Sequence, residues 1–416
     1  MRKSKKVKKT FPSLKYKWII ISVLILLVAL EISILYSKRP ILLGAIKQRG
    51  QEKSLQEYAE AVLEKCSQAR YRPACYDEEV PLLTEFISLE EAFEVTRLIQ
   101  EKDGGYLYCH VLGHNLSAKE TKKDPDKWKE VIARCPSGLC SNGCIHGAFQ
   151  ERFRADSLPD AEIAQLRPEL EGICEKRPGW NPTDLEQATC YHALGHLSMY
   201  MTAANIERSS TLCEELSVKP DGRDYTQICY DGVFMQIFQP LEPEDFALVE
   251  GLTPKKEELK DFCSSYEGRA KGSCWSEGWP LYFEDLKKPQ NLVKFCSYLD
   301  ADPGEEDRCY LALFYVMTAQ FGFDEEVINN YCVGLPRQRR GQCFANAASR
   351  MIETDWSLIG KSVSLCSTAD ELGVGEACYE ELLLYSTYNF HPGSEEFYNL
   401  CNSLPESWKT RCLDKV

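Results

Sequence analysis

Histidine is scarce in this sequence, with six in 416 residues, and the motifs that announce common enzymes are missing. No Cys-x-x-Cys occurs, which argues against a thioredoxin-type site, a zinc ribbon or a c-type haem attachment. His-Glu-x-x-His and Gly-x-Ser-x-Gly are absent, removing the usual zinc peptidase and the serine nucleophile elbow. Gly360-Lys361-Ser362 looks like the end of a phosphate loop, but Asp355 stands where its first glycine belongs. Asp300-Ala301-Asp302 lacks the later ligands of a calcium hand. Strand-type alternation of useful length is also lacking. Basic charge is thin beyond residue 53: residues 1–53 hold 13 Lys/Arg and only Glu31 and Glu52, leaving 36 basic against 61 acidic residues. A body this acidic repels a phosphate backbone, so nucleic acid is not an expected partner.

Cysteine, in contrast, is abundant. Twenty cysteines, running from Cys66 to Cys412, point to an oxidising compartment. Residues 18–36 (WIIISVLILLVALEISILY) form a 19-residue apolar run interrupted by Ser22, Glu31 and Ser33. At about 1.5 Å per residue such a helix just spans a hydrocarbon core of about 30 Å. Eight basic residues precede it, and no small-x-small cleavage site follows. These features predict a retained single-pass signal anchor, with residues 1–17 cytoplasmic and the cysteine-rich body outside the cytoplasm. A buried core helix is the alternative, and it leaves the charges at its mouth unexplained.

The cysteines define a repeat. A cysteine ends one apolar-periodic segment, 9 to 16 residues of turn chemistry follow, and a second cysteine opens the next. The expected pairs are Cys66 with Cys75, Cys135 with Cys144, Cys174 with Cys190, Cys213 with Cys229, Cys263 with Cys274, Cys296 with Cys309, Cys332 with Cys343, Cys366 with Cys378 and Cys401 with Cys412. With Cys109 included, the second members advance by 34, 35, 46, 39, 45, 35, 34, 35 and 34 residues, a repeat-protein period. Segments such as Cys309–Phe321 and Cys378–Ser386 read as second helices. Glu325–Cys332 and Pro254–Cys263 read as first helices. The polar stretches Asp302–Arg308 and Pro336–Gln342 read as the turns between them.

A hairpin of about 35 residues does not bury its own apolar faces, so neighbours must stack. The pattern from about residue 54 onward resembles tetratricopeptide-like repeats, especially the cysteine-rich exported type in which a disulfide ties each hairpin. The resemblance is architectural: the Trp, Leu-Gly, Tyr, Ala, Pro signature is not legible here. It implies an all-α fold of disulfide-stapled hairpins stacked as an α-solenoid, which the apolar run at 18–36 is expected to precede as one transmembrane helix. The expected segments are 1–17, 18–36, a linker and the start of the first helix at 37–60, N-terminal hairpins over 61–204 and C-terminal hairpins over 205–416. Nine pairs leave Cys109 and Cys140, which are expected to form a tenth bond between the second and third hairpins. Two free thiols serving a metal or a redox reaction are the alternative.

Five of the six histidines fall between 110 and 196. His110-Val-Leu-Gly-His114 and His192-Ala-Leu-Gly-His196 repeat one pattern, and His146 follows Cys144 in the intervening hairpin. Imidazoles at i and i+4 share a helix face at a spacing suited to one metal ion. Gly113 and Gly195 cost about 0.5–1 kcal/mol each inside a helix, so something close by should require them. Glu151, with Gln150 and Asp231 beside it as further candidates, is an expected addition to the ligand set His110, His114, His146, His192 and His196. This set suits zinc, copper or iron, and bis-histidine haem is conceivable. The leading expectation is a transition-metal site. A metal-free scaffold binding an envelope protein or peptide through Trp275, Trp279 and Tyr282 is one alternative, with the histidines as core residues. A metal-dependent envelope enzyme, oxidoreductase rather than hydrolase, is another. His391, isolated before Pro392, reads as a loop residue.

Overall fold

The computed structural model describes residues 54–106, 109–136, 139–140, 143–153, 158–241, 243–299 and 301–416. The expected anchor at 18–36 and its flanking charges lie outside these residues. No helix among the described residues is long and apolar enough to cross a membrane. The chain divides into two compact units, 1–61 and 62–416. Of the first, only the opening of one helix is described.

The described residues are helical and contain no strand, only three isolated bridges. The helices come in pairs. They are α1 (Leu55–Cys66) and α2 (Arg72–Glu79), α3 (Leu89–Lys102) and α4 (His110–Lys123), α5 (Trp128–Ala133) and α6 (Gly143–Phe153), α7 (Asp160–Glu171) and α8 (Asp184–Met201), and α9 (Ile206–Ser217) and α10 (Thr226–Phe238). After the short α11 (Pro243–Leu248) come α12 (Leu259–Cys263) and α13 (Gly268–Glu277). Following α14 (Phe283–Leu286) are α15 (Pro289–Cys296) and α16 (Pro303–Gln320), α17 (Glu325–Val333) and α18 (Arg337–Thr354), α19 (Ile359–Glu371) and α20 (Gly375–Tyr388), and α21 (Glu395–Ser403) and α22 (Glu406–Leu413).

Nine disulfides each close one pair, joining the cysteines that the spacing predicts. In the N-terminal half, Cys66 bonds Cys75, Cys135 bonds Cys144, Cys174 bonds Cys190 and Cys213 bonds Cys229. Farther along, Cys263 bonds Cys274, Cys296 bonds Cys309, Cys332 bonds Cys343, Cys366 bonds Cys378 and Cys401 bonds Cys412. The tenth, between Cys109 and Cys140, ties the start of α4 to the approach to α6, so no cysteine is left free and the two-thiol alternative falls. Cys75 and Cys135 are half-buried, and the other eighteen cysteines are buried. Each of the nine hairpin bonds therefore limits the unfolded chain and also fills space where a first helix meets a second.

The turns are shorter than the sequence pattern suggests. Asp302–Arg308 is not a loop: α16 already begins at Pro303, with the Asp302 carboxylate accepting from the Glu305 amide. Pro336 likewise immediately precedes α18. A proline and acidic residues after an Asp are helix-start chemistry, because the N-cap side chain satisfies an amide that has no intrahelical partner. Thr183 and Glu186 form a reciprocal capping box at the start of α8 in the same way.

Second helices pack against one another in sequence order: α4 on α6, α6 on α8, α8 on α10, then α13, α16, α18 and α20. Within the unit 62–416 this row turns back on itself, since α20 reaches α8 and Leu139 pairs with Asp355 through a backbone bridge.

Candidate metal centre

Two crossings in this row are unusually close, and each is built on glycine. A Cβ on Gly147 of α6 would lie 2.1 Å from the His114 carbonyl oxygen of α4, and one on Gly113 would lie 3.0 Å from the Cys144 amide nitrogen. The α8–α10 crossing repeats the arrangement: a Cβ on Gly195 would lie 2.1 Å from the Cys229 carbonyl oxygen, and one on Gly232 would lie 2.1 Å from the His192 carbonyl oxygen. These contacts are the close approach that Gly113 and Gly195 imply. The Cys109–Cys140 bond sits at the first crossing, with the Cys140 Cβ 3.4 Å from the position of a Gly113 Cβ.

Close crossings bring all five clustered imidazoles together. His110 and His114 on α4 stand one turn apart with ring centroids 4.7 Å apart, and His192 and His196 on α8 are 5.0 Å apart. His146 on α6 lies between the pairs, 5.0 and 5.1 Å from the first and 5.6 and 5.7 Å from the second. In each pair the two Nε2 atoms face one another, at 3.1 Å for His110 and His114 and 3.2 Å for His192 and His196. Two imidazole nitrogens bound to one tetrahedral ion at about 2.0 Å stand about 3.3 Å apart. One potential ligand atom from each of His110, His114 and His146 falls within a 4.8 Å group.

Glutamines orient the rings. His114 Nδ1 is 3.0 Å from Gln150 Oε1, and His196 Nδ1 is 2.7 Å from Gln236 Oε1. An Nδ1–H donated to an amide oxygen leaves the Nε2 lone pair directed at the partner imidazole, the usual outer support of a metal-binding histidine. Burial favours the neutral form of four of the imidazoles. It pushes His114 down to about 4 against a weaker opposing effect of Gln150. His146 is held well below its ordinary value by burial and then by repulsion from the four neighbouring imidazoles. Burial also lowers His192 and His196, partly offset at His196 by Gln236 and Asp245. Neutral imidazole is the form that binds a metal ion.

One atom in the group has no protein partner: His146 Nε2 is buried without a hydrogen bond. A buried polar nitrogen left unpaired costs about 1–3 kcal/mol. His146 lines a cavity of about 20 Å³ together with His110, His114, His196, Gln150 and Met235 among others. That is room for one water or one ion.

Other sequence candidates lie elsewhere. Glu151 does not line this cavity; Gln150 does, because one helical position turns a side chain by about 100°. Asp231, at the place on α10 that His146 holds on α6, faces α13 and α16 instead, bonding Ser273 and pairing with Arg308 at 3.3 Å. Trp275 is buried, stacked on Phe295 and donating its indole N–H to the Phe295 carbonyl oxygen, so it offers no docking surface. Trp279 and Tyr282 are half-buried. His391 sits in the turn before α21. Met235, Gln236 and Asp245 belong to the cavity and are not among the sequence candidates. A signal for the α10 contribution does exist, since Cys144-Ile-His-Gly147 and Cys229-Tyr-Asp-Gly232 share Cys-x-x-Gly, each on the helix packed against a His-x-Leu-Gly-His helix.

No family model matches the chain, and neither a characterised protein nor a solved structure does.

Proposed function

We propose that this protein binds a transition metal ion of the zinc, copper or iron class through its histidine cluster. The observation that carries the reading is the buried, unpartnered Nε2 of His146 among neutral imidazoles. His110, His114 and His146 would supply three nitrogens, and the carboxylate of Asp245 near the cavity favours cations over anions. Core histidines would instead be dispersed and bonded to carbonyl groups. Here the pairs address one another, which favours metal binding over a metal-free scaffold.

The surrounding architecture is proposed to be an α-solenoid, stapled by its disulfides and held outside the cytoplasm by the apolar segment 18–36. The unbroken row of second helices and the oxidised cysteines support this. The C-terminal hairpins then act as scaffold and as the face for an envelope protein or peptide.

The test is metal content. The whole chain, purified in detergent without chelator, is expected to carry bound metal by plasma mass spectrometry, and His146→Ala to carry less. Equal metal in the two proteins would refute the assignment.

A further inference from the structure

The cluster contains more ligand atoms than one ion uses. His110, His114 and His146 account for one set, yet His192 and His196 present the same Nε2-to-Nε2 arrangement on α8. Their third neighbour differs in kind. At the position equivalent to His146, α10 carries Asp231, which is turned away toward Ser273 and Arg308. One helical turn later comes Met235, whose Sδ lies 3.3 Å from His192 Nε2. Met235 also lines the cavity beside His196.

We infer that the cluster holds a second metal site formed by His192, His196 and Met235, and that this site takes copper(I). This inference rests on the metal-binding reading above and narrows it. A thioether is a soft, neutral donor that discriminates in favour of copper(I) and contributes little to zinc(II). Two imidazoles and one thioether are neutral donors that leave a bound copper(I) ion only its single positive charge, a smaller charge to bury than that of zinc(II). The ring orientations are supported as in the first site: Gln236 accepts from His196 Nδ1, and the Ile228 backbone hydrogen-bonds His192. His146 stands between the two sets, 5.6 Å from His192 by ring centroids. The two sets are therefore neighbours on either side of His146, one all-nitrogen and one nitrogen–sulfur.

The test is an anaerobic copper(I) titration of the whole chain against a chromogenic copper(I) chelator, with zinc(II) titrated in parallel. Wild type is expected to bind two copper(I) ions, and Met235→Leu one, with the zinc(II) count the same in both. Leucine conserves volume at this half-buried position, and an unchanged thermal transition checks that the variant folds. X-ray absorption of the copper-loaded wild type should show a sulfur scatterer that Met235→Leu lacks. Since every cysteine is in a disulfide, no thiolate competes for that assignment. A Met235→Leu protein that keeps both copper ions and the sulfur signal overturns the inference. So does a wild type that binds one ion, lost on His146→Ala, although the first site then stands. Absence of both copper(I) and zinc(II) binding sinks both readings together.

Discussion

Replacing Gly195 by alanine tests whether the glycine crossings set the geometry of the centre. The new Cβ would sit 2.1 Å from the Cys229 carbonyl oxygen and 2.9 Å from both Gly232 Cα and Val233 N. A tolerable carbon–oxygen contact is about 3.3 Å, so α8 and α10 must part by about 1 Å. All three obstacles are backbone atoms and have no rotamer to give. Overpacking of this kind costs about 1–3 kcal/mol, and alanine's better helix propensity returns about 0.5–1 kcal/mol, leaving a net loss of about 1 kcal/mol at the midpoints of these ranges. The parting also stretches the His196–Gln236 bond and carries Met235 away from His192. Gly360→Ala is the control, because nothing lies within 4 Å of a Cβ there. Urea denaturation with disulfides intact should place Gly195→Ala below wild type and Gly360→Ala at or above it. If Gly195→Ala proves as stable as the control, the close-crossing argument is wrong.

Acid should weaken the metal-free protein through the histidines. His114 is pushed from 6.5 down to about 4 in the fold, so the folded state binds its proton less readily than the unfolded state. Its contribution is complete above pH 6.5 and is lost as pH falls toward 4, at about 1.4 kcal/mol per pH unit and about 3 kcal/mol in all. The urea midpoint in chelator should fall over that window, and His114→Gln should flatten the fall; an equally steep fall in the variant would contradict this. Removing the Cys109–Cys140 bond with alanines at both positions frees a 31-residue separation, which the loop-entropy account values at about 3–4 kcal/mol. A loss below about 1 kcal/mol by denaturation would mean the α4–α6 crossing holds without its staple. Gln150→Leu and Gln236→Leu remove the acceptors that orient His114 and His196, and each should weaken metal binding by about 10- to 100-fold in competition titrations. Unchanged affinity would show that the amides merely fill space.

The staples are legible in the sequence because a disulfide leaves two fixed marks per repeat and the spacing recurs along the chain. Cys174 with Cys190 and Cys332 with Cys343 differ in loop length, at separations of 16 and 11 residues, yet both join the end of a first helix to a second. Helix starts are harder. Asp302-Pro303-Gly304 and Pro336-Arg337 contain residues shared by turns and by first helical turns, and only the Asp302 carboxylate on the Glu305 amide decides between them. At the centre, the histidines announce themselves by scarcity and by a repeated motif. Met235 and Gln236 do not, because a methionine in an apolar helix is indistinguishable from core packing. Their partners also lie 43 and 40 residues away along the chain. Ligand chemistry favours Glu151 over Gln150, while the rotation of α6 decides for the amide. Trp275 illustrates the same limit: its stacking on Phe295 depends on the next hairpin and not on its own sequence neighbours.

Anomalous diffraction at a metal absorption edge, on crystals of protein purified without chelator, shows whether an ion sits among the imidazoles. A peak is expected within bonding distance of His110 Nε2, His114 Nε2 and the Nε2 of His146. No anomalous peak among the five imidazoles, with each facing pair joined by an N–H···N hydrogen bond and a water on His146, would contradict it.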